Sequence, residues 1–235
     1  MNAQRTAAFL KAHDNYLILT HIRPDGDTLG CAVLLCLGLR QLGKIAYVLE
    51  NPETTEKYLP LLAGLTKESP AAQDTLVAVD VASANMLGDC FASLEGSILL
   101  RIDHHGSATS FTDFELVAPD AAACGEVIYD VLKQMGAKLD KPMATALYTA
   151  VSTDTGCFRY ANTTANTLRA AADCIAAGAD TFSMNQAYFE TNSLGRLRLQ
   201  GWLVENALFL QDGKVVICAR PLCKEQVLGL TEDDL

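Results

Sequence analysis

The sequence predicts an α/β fold, a parallel sheet with helices on both faces, and three observations lead to it. Short apolar runs rich in Val, Ile and Leu recur through the first half of the chain, as expected for strands buried on both faces. Helical patterns lie between these runs, which indicates βαβ units. The chain has 235 residues, of which 50% are apolar, enough for one large domain or a medium domain and part of a second.

The elements of the first half follow one another in βαβ order. Residues 3–13 are predicted to form an amphipathic helix, and residues 16–20 (YLILT) a buried strand. The segment 28–42 is apolar nearly all round, which is typical of a helix packed against a sheet. Further strands are predicted at 44–49, 75–79 and 97–102, with helical patterns at 53–65 and 83–94.

The second half is predicted to be mostly helical and to end in a hairpin. Ala-rich helical patterns occupy 122–135, 141–152, 164–177 and 181–191. A further helix near 190–208 leads to a strand, an Asp-Gly turn at 212–213 and a strand at 214–219. A two-stranded hairpin is marginally stable alone. We therefore expect one domain over residues 1–190, and over residues 191–235 a linker helix and the start of an incomplete, small C-terminal α/β domain.

Composition narrows the classes of function. Eighteen basic and 28 acidic residues give a formal net charge of −10. Long duplex DNA and anionic membranes need a basic face, so neither is an expected partner. The charge is compatible with a short anionic substrate that metal ions hold locally. The cysteines form no C-x-x-C pair, no secretory pattern opens the chain, and no apolar run approaches the ~20 residues of a membrane span. These features predict a soluble, cytoplasmic protein with free thiols.

Histidines and aspartates collect at the ends of the predicted elements. They are His21, Asp25 and Asp27 after the first strand, Asp80 after the third, Asp103, His104 and His105 after the fourth, and Asp154 at the end of a helix. In an open parallel sheet, ligands bind at the carboxyl ends of the strands. We therefore expect these side chains to meet at one edge of the sheet.

This set of side chains predicts a divalent metal site. Imidazoles and carboxylates without a cysteine motif suit Mn²⁺, Mg²⁺, Co²⁺ or Zn²⁺. Four aspartates would repel a phosphate from the empty site, and two divalent cations would neutralise them. Two metals about 3.5–4 Å apart can activate water and stabilise the attacking and leaving oxygens of phosphoryl transfer.

Other chemistries have less support in the sequence. It contains neither the Walker phosphate loop nor a G-x-S-x-G nucleophile motif. Cys157, close to Asp154, is a candidate nucleophile, although packing is the more common role for such a cysteine. Arg159 and Tyr160 are candidate contacts for a substrate phosphate and base.

Four motifs in order resemble the DHH phosphoesterase family, whose name is the triplet Asp103-His104-His105. The motifs are HIRPDGDTLG, VAVD, RIDHHGS and STDTGCFRYANTT. The resemblance is close over residues 15–175 and looser into the final hairpin. The most similar subgroup is that of the bifunctional oligoribonucleases and pAp phosphatases (nanoRNases), with cyclic-dinucleotide and pApA phosphodiesterases as related enzymes.

The resemblance implies two metal sites and a catalytic pair. One site matches His21, Asp25 and Asp80, and the other matches Asp27, Asp80, His104 and Asp154, with Asp80 bridging. Asp103 would orient the histidines, and His105 would contact the scissile phosphate or protonate the leaving oxygen. The metal that the family usually prefers is Mn²⁺, with Mg²⁺ or Co²⁺ as alternatives.

The implied activity is hydrolysis of short phosphorylated nucleotides by a metal-bound hydroxide. The substrates would be oligoribonucleotides of a few residues, pAp or linear dinucleotides, and a homodimer is possible because family members often form dimers. Two departures stand out: Cys31 replaces a frequent Ser, and the Gly-rich, His-containing motif of the family's C-terminal domain is missing from the sequence.

Two alternatives stay open at this point. A family II-type inorganic pyrophosphatase has a similar metal set, but the basic Ser-Arg-Lys-Lys-like clamp of such enzymes has no counterpart in residues 196–235. The other alternative is a catalytically impaired metal-binding module that lacks its substrate domain.

Overall fold

Six parallel strands form one sheet in the computed structural model, which describes residues 1–219 and 230. The strands are β1 (Tyr16–Leu19), β2 (Ala46–Leu49), β3 (Thr66–Lys67), β4 (Thr75–Val79), β5 (Ile98–Asp103) and β6 (Phe114–Val117). Their order across the sheet is β3-β2-β1-β4-β5-β6, and every neighbouring pair is parallel. The predicted α/β fold with a parallel sheet is confirmed.

The two edge strands, β3 and β6, are absent from the sequence-based prediction. β3 has only two residues, and in β6 only Leu116 is buried while Phe114 is exposed. An edge strand pairs on one side only, so it carries less of the continuous apolar pattern that marked the central strands. Their short length and mixed polarity explain why the pattern did not show them.

Nine α-helices fall within the described residues. They are α1 (Ala3–Ala12), α2 (Gly26–Gln41), α3 (Leu59–Leu62), α4 (Gly88–Phe91), α5 (Cys124–Met135), α6 (Lys141–Asp154), α7 (Ala165–Ala176), α8 (Thr181–Asn185) and α9 (Leu194–Glu205). The predicted helix at 53–65 is reduced to a 3-10 segment and one α-helical turn, and the one at 83–94 to one α-helical turn between two 3-10 segments. Glycines in the left-handed region, Gly64 and Gly88, interrupt them.

Helices cover both faces of the sheet, as predicted. Along β1, Tyr16 and Ile18 contribute to a large core with α2, α5 and α6, whereas Leu17 and Leu19 contribute to a smaller core on the opposite face. This alternation follows from the two-residue period of a strand. Because all four side chains are buried, β1 is a central strand with protein on both sides.

The chain divides into two compact units, of which the first is Met1–Tyr188 and the second begins at Phe189. In the second unit, β7 (Leu208–Leu210) pairs antiparallel with β8 (Val215–Ile217) across the turn that the sequence predicted. The interpretation of residues 191–235 as a linker and the start of a further domain stays a prediction, and residues 220–229 and 231–235 lie outside the described part. None of the described helices has the length and apolar character needed to cross a membrane.

The order of the strands places a crevice between β1 and β4. After β1 the chain adds β2 and β3 on one side, and after β4 it adds β5 and β6 on the other. Neighbouring strands whose connections run in opposite directions leave a crevice at their carboxyl ends, which is the usual ligand position in such sheets. Four of the six predicted metal ligands, His21, Asp25, Asp27 and Asp80, follow these ends.

Helices α2 and α6 approach each other so closely that only glycine fits at the contact. A Cβ added to Gly30 would lie 2.6 Å from the carbonyl oxygen of Ala146 and 2.8 Å from the backbone nitrogen of Ala150. These are backbone atoms, so they cannot rotate away as a side chain would. The contact matters for the site because α2 begins, and α6 ends, beside the crevice.

Gly30→Ala is expected to lower the free energy of unfolding by about 1–3 kcal/mol, because the added methyl group overpacks this contact. Gly96→Ala is the matched control, since a Cβ at Gly96 meets nothing within 4 Å. Its effect should stay within about 0.5 kcal/mol. Urea denaturation followed by circular dichroism measures both, and a Gly30→Ala protein as stable as the control would contradict the close packing.

Candidate metal centre

The structure brings all six predicted metal-ligating side chains, together with Asp103 and His105, to the carboxyl ends of β1, β4 and β5. Two groups of donor atoms can each be recognised as a metal site, because the atoms within each lie within 4.8 Å of one another. They are His21, Asp25 and Asp80 in the first group, and Asp27, His104 and Asp154 in the second. Asp80 also approaches the second group, as its distances show.

The first group is centred on the Nε2 atom of His21. This atom lies 3.6 Å from Oδ1 of Asp25 and 3.8 Å from Oδ2 of Asp80. Nδ1 of His21 lies 2.7 Å from the carbonyl oxygen of Ile22. Because a carbonyl only accepts, Nδ1 donates, and the lone pair of the neutral ring is on Nε2, which faces the carboxylates.

The second group has the same construction around His104. Its Nε2 atom lies 3.4 Å from Asp154 Oδ2, 3.6 Å from Asp80 Oδ1 and 3.8 Å from Asp27 Oδ2. Nδ1 of His104 donates to the carbonyl oxygen of Ala121 at 3.1 Å. Asp80 therefore directs one carboxylate oxygen to each histidine and lies between the two groups.

These separations suit metal ligation. Ligand atoms about 2.1 Å from one cation are about 3–4 Å apart, depending on the angle between them. The histidine-to-carboxylate distances of 3.4–3.8 Å fall in that range. They are longer than direct hydrogen bonds, so the donor atoms surround a space without closing it.

The starts of two helices hold the carboxylates of the α2 segment. Asp25 is the N-cap of α2, and its Oδ1 atom accepts from the backbone nitrogens of Asp27 and Thr28. Asp27 in turn accepts from the backbone nitrogens of Cys124 at 2.7 Å and Gly125 at 3.1 Å, at the start of α5. Both carboxylates thus lie where a helix N-terminus favours negative charge.

Asp80 is strained and only partly satisfied. Its φ is +58°, in the left-handed region that non-glycine residues seldom adopt. Its Oδ1 atom is buried and has no hydrogen bond among the described residues. Backbone strain of this kind persists where the surroundings enforce it and is frequent at functional sites. An unpartnered buried carboxylate oxygen fits a cation.

The electrostatics of these carboxylates also indicate a cation site. Burial raises the pKa of the Asp80 carboxyl well above its usual range, and the negative charges of Asp27 and Asp25 raise it further. Burial, followed by the charges of Asp154 and Asp25, does the same to the pKa of Asp27. The cluster is therefore short of positive charge, which divalent cations would supply.

A second pair of side chains stands beside these groups. Oδ1 of Asp103 accepts from the backbone nitrogen of His104 at 2.8 Å and from Nδ1 of His105 at 2.8 Å. The hydrogen bond to Asp103 raises the pKa of His105 to about 9. The His105 side chain is 38% exposed, whereas Asp103 is fully buried. His105, Asp80 and His104 also form a third set of potential ligands. The position of His105 is therefore compatible with binding a metal as well as with contacting a substrate.

Arg159 and Tyr160 follow a strained turn after α6. Gly156, Cys157 and Phe158 have φ values of +54°, +58° and +63°, so three consecutive residues are left-handed. Nε of Arg159 donates to the carbonyl oxygen of Gly156 at 2.6 Å, and the exposed ring of Tyr160 packs against Gly156. Neither has a hydrogen bond or ion pair to the metal-ligand groups within the described part of the chain.

Two asparagines support the site and were not predicted. The buried Asn51 donates to Thr20 Oγ1 at 3.0 Å and to the carbonyl oxygen of His21 at 2.9 Å. Asn162 donates to the carbonyl oxygen of Asp154 at 3.1 Å. Asn51 is the second residue after β2, so the rule that selected the other residues, a polar side chain beyond a strand, would also have found it.

Comparison with known proteins identifies the family of this chain. A family model described as the DHH family, N-terminal domain, matches residues 15–151. The protein named bifunctional oligoribonuclease and PAP phosphatase NrnA from Thermus thermophilus is 33% identical over 221 residues, which cover 92% of this chain and 66% of that protein. The Bacillus subtilis protein of the same name is 27% identical over 209 residues, 87% of this chain and 66% of that protein.

The chain spans about two thirds of the length of these relatives. Among solved structures, an exopolyphosphatase-related protein from Bacteroides fragilis superposes with a TM-score of 0.88 at 19% identity, over 99% of this chain and 73% of that one. At this identity the superposition supports the fold. The family model covers more than half of the chain and includes the Asp103-His104-His105 triplet. The chain belongs to the DHH family.

Proposed function

We propose that this protein is a metal-dependent phosphoesterase that hydrolyses short phosphorylated nucleotides, namely oligoribonucleotides of a few residues, pAp or linear dinucleotides. The observation that carries the proposal is the buried carboxylate of Asp80, which lies between two histidine-carboxylate groups. Shared carboxylates of this kind are typical of two-metal phosphoryl-transfer sites. The names of the relatives in Thermus thermophilus and Bacillus subtilis support the same class of substrate.

In this proposal the first cation is held by His21, Asp25 and Asp80, and the second by Asp27, Asp80, His104 and Asp154. Oxygen and imidazole ligands suit Mn²⁺, with Mg²⁺ or Co²⁺ as alternatives. When bound, the cations supply Lewis acidity, which makes water more acidic and draws electrons from phosphoryl oxygens. Two divalent cations also balance the four negative charges of the aspartates, so that a phosphate can approach.

His105 is proposed to handle the leaving group. With Nδ1 donating to Asp103, the other ring nitrogen is left for the substrate. The hydrogen bond to Asp103 raises the pKa of His105 and so favours the protonated imidazole, which is the form that a general acid requires. The protonated ring can contact the scissile phosphate or give its proton to the leaving oxygen, and Asp103 holds the ring in place.

Arg159 and Tyr160 are proposed to contact the rest of the substrate. The exposed ring of Tyr160 can stack on a base, and a guanidinium suits a phosphate. The net charge of −10 favours short substrates over long nucleic acids. The proposed setting is the cytoplasm, whose reducing conditions keep scattered thiols free. A homodimer stays a prediction.

The test is a side-by-side assay of Mn²⁺-dependent hydrolysis of pAp, pApA, a five-residue RNA and pyrophosphate. Release of phosphate or mononucleotide from the nucleotides, with pyrophosphate untouched, would support the proposal. Cleavage of pyrophosphate alone would favour the family II-type pyrophosphatase instead. Failure to cleave any of the four while Mn²⁺ binds would favour the catalytically impaired metal-binding module.

Asp80→Asn is expected to reduce hydrolysis by at least ~100-fold, because even partners of metal ligands contribute 10- to 100-fold and Asp80 is the proposed bridge. Asp130→Asn is the matched control, since Asp130 is a surface residue paired with Lys133. Initial rates at saturating Mn²⁺ measure the effect. If Asp80→Asn retained the rate of the control, Asp80 would not be the shared ligand.

His105→Asn is expected to lower kcat by about 10²- to 10⁴-fold with little change in Mn²⁺ affinity. The amide nitrogen of asparagine can replace Nδ1 in the bond to Asp103, but nothing replaces Nε2. His13→Asn is the control, because His13 precedes β1 and so lies at the opposite ends of the strands. Isothermal titration calorimetry gives the affinity. A large loss of Mn²⁺ affinity would make His105 a ligand and contradict its proposed role.

A further inference from the structure

A charged residue interrupts the apolar sequence of β5. Arg101 is 1% exposed and is among the largest side chains that are fully buried. One terminal nitrogen, Nη2, lies 3.0 Å from Oε2 of Glu115 on the neighbouring strand β6. A buried charge is costly unless it is paired and hydrogen-bonded, so the partners of this guanidinium indicate what it does.

The other terminal nitrogen, Nη1, joins two loops at the edge of the metal centre. It donates to the carbonyl oxygens of Ala82 and Thr109, each at 3.0 Å, and lies 3.4 Å from that of Val81. Val81 and Ala82 come directly after Asp80, and Thr109 lies four residues after His105. One guanidinium thus binds the backbone that follows the shared carboxylate and the backbone that follows the DHH triplet.

Asp80 needs such support. Its backbone is left-handed, and its nitrogen donates to the carbonyl oxygen of Ile102, the residue after Arg101. A strained residue holds its conformation only when its neighbours are fixed. The bonds from Arg101 to the carbonyl oxygens of Val81 and Ala82 fix the chain on the other side of Asp80.

Arg101 also faces the aspartate that orients His105. Its Nη1 lies 3.9 Å from Oδ2 of Asp103, a buried oxygen without a hydrogen bond among the described residues. Without the guanidinium, Oδ2 of this fully buried carboxylate would lose the positive charge beside it, and His105 would remain as the partner of Oδ1. Arg101 therefore acts on Asp80 through the backbone that follows it and on the Asp103–His105 pair through its charge.

The Arg101–Glu115 pair extends the same loop support. Glu115 Oε1 accepts from the backbone nitrogen of Phe111 at 3.1 Å and from that of Thr112 at 3.3 Å. The guanidinium carbon of Arg101 also lies 5.1 Å from the centre of the Phe111 ring. The contacts to Phe111 and Thr112 are in the loop between β5 and β6, which begins with the two histidines of the DHH triplet.

We propose that Arg101 is a positioning residue that fixes Asp80 and the Asp103–His105 pair in one geometry and so sets the metal affinity of the centre. This inference rests on the proposed metal-dependent function. An apolar side chain such as methionine could fill most of this space without the cost of burying a charge, so packing alone does not account for an arginine here. The planar guanidinium supplies several fixed donors, which an apolar side chain does not.

The test compares Arg101→Met and Arg101→Lys with Leu132→Ala, a control in the core. Leu132 lies in α5 beside Gly38, eight residues beyond the start of the helix near Asp27, and its truncation should also lower the Tm. Isothermal titration calorimetry with Mn²⁺ alone gives the affinity. Hydrogen exchange of the metal-free protein reports on the amides of residues 80–82 and 104–109.

Arg101→Met is expected to weaken Mn²⁺ binding by about 10- to 100-fold, as loss of a partner that orients metal ligands typically does. Exchange should accelerate in both loops, and Arg101→Lys should lie between Arg101→Met and the wild type. The Leu132→Ala protein should bind Mn²⁺ as the wild type does. If Arg101→Met loses Tm like the control but keeps wild-type affinity and loop exchange, the proposal is overturned.

If Arg101→Met does not fold, Arg101→Lys provides the second test, because it keeps the charge but lacks the planar fork of donors that contacts Glu115 and the carbonyl oxygens together. It should raise the dissociation constant for Mn²⁺ by a smaller factor and accelerate loop exchange, and wild-type values for both would overturn the proposal.

None of these readouts needs turnover. A wild-type protein that binds Mn²⁺ without hydrolysis would contradict the proposed function alone, and the exchange measurement applies even if no Mn²⁺ binds.

Discussion

The burial of like charges at the end of the sheet is the constraint on which the rest of this structure depends. Asp27 and Asp80 are almost fully enclosed, and Asp80 keeps a buried oxygen without a hydrogen bond in the described residues. Water cannot solvate such carboxylates, so cations must balance them or they must take up protons. Three features keep ligand atoms in position for such cations. The N-termini of two helices hold the carboxylates of Asp25 and Asp27, and both histidines turn Nε2 toward the carboxylates. The third feature is the strained backbone of Asp80.

The fold supplies this arrangement through the order of its strands. Because β1 and β4 are neighbours whose connections run in opposite directions, the residues that follow them meet in one crevice. The close approach of α2 and α6 at Gly30 then brings the end of α6, with Asp154, to the start of α2, with Asp27. Stability of the core and geometry of the site are thus linked through the same helix contact.

The sequence was sufficient to predict the sheet, its central strands and the residues that gather at its edge, because these depend on local patterns. His21, Asp80 and His104 each follow an apolar run, and a parallel sheet brings such positions together. Long-range contacts are not visible in this way. The edge strands β3 and β6, the support from Asn51 and the guanidinium contacts of Arg101 all depend on segments far apart in the chain.

The most direct test of the central claim is a crystal structure of the Mn²⁺-loaded protein with anomalous diffraction measured at the manganese edge. The account predicts two anomalous peaks about 3.5–4 Å apart, as in other two-metal centres, each within bonding distance of a carboxylate oxygen of Asp80. One would be bound by His21 and the other by His104. A single peak, or two peaks that do not share Asp80, would contradict the account.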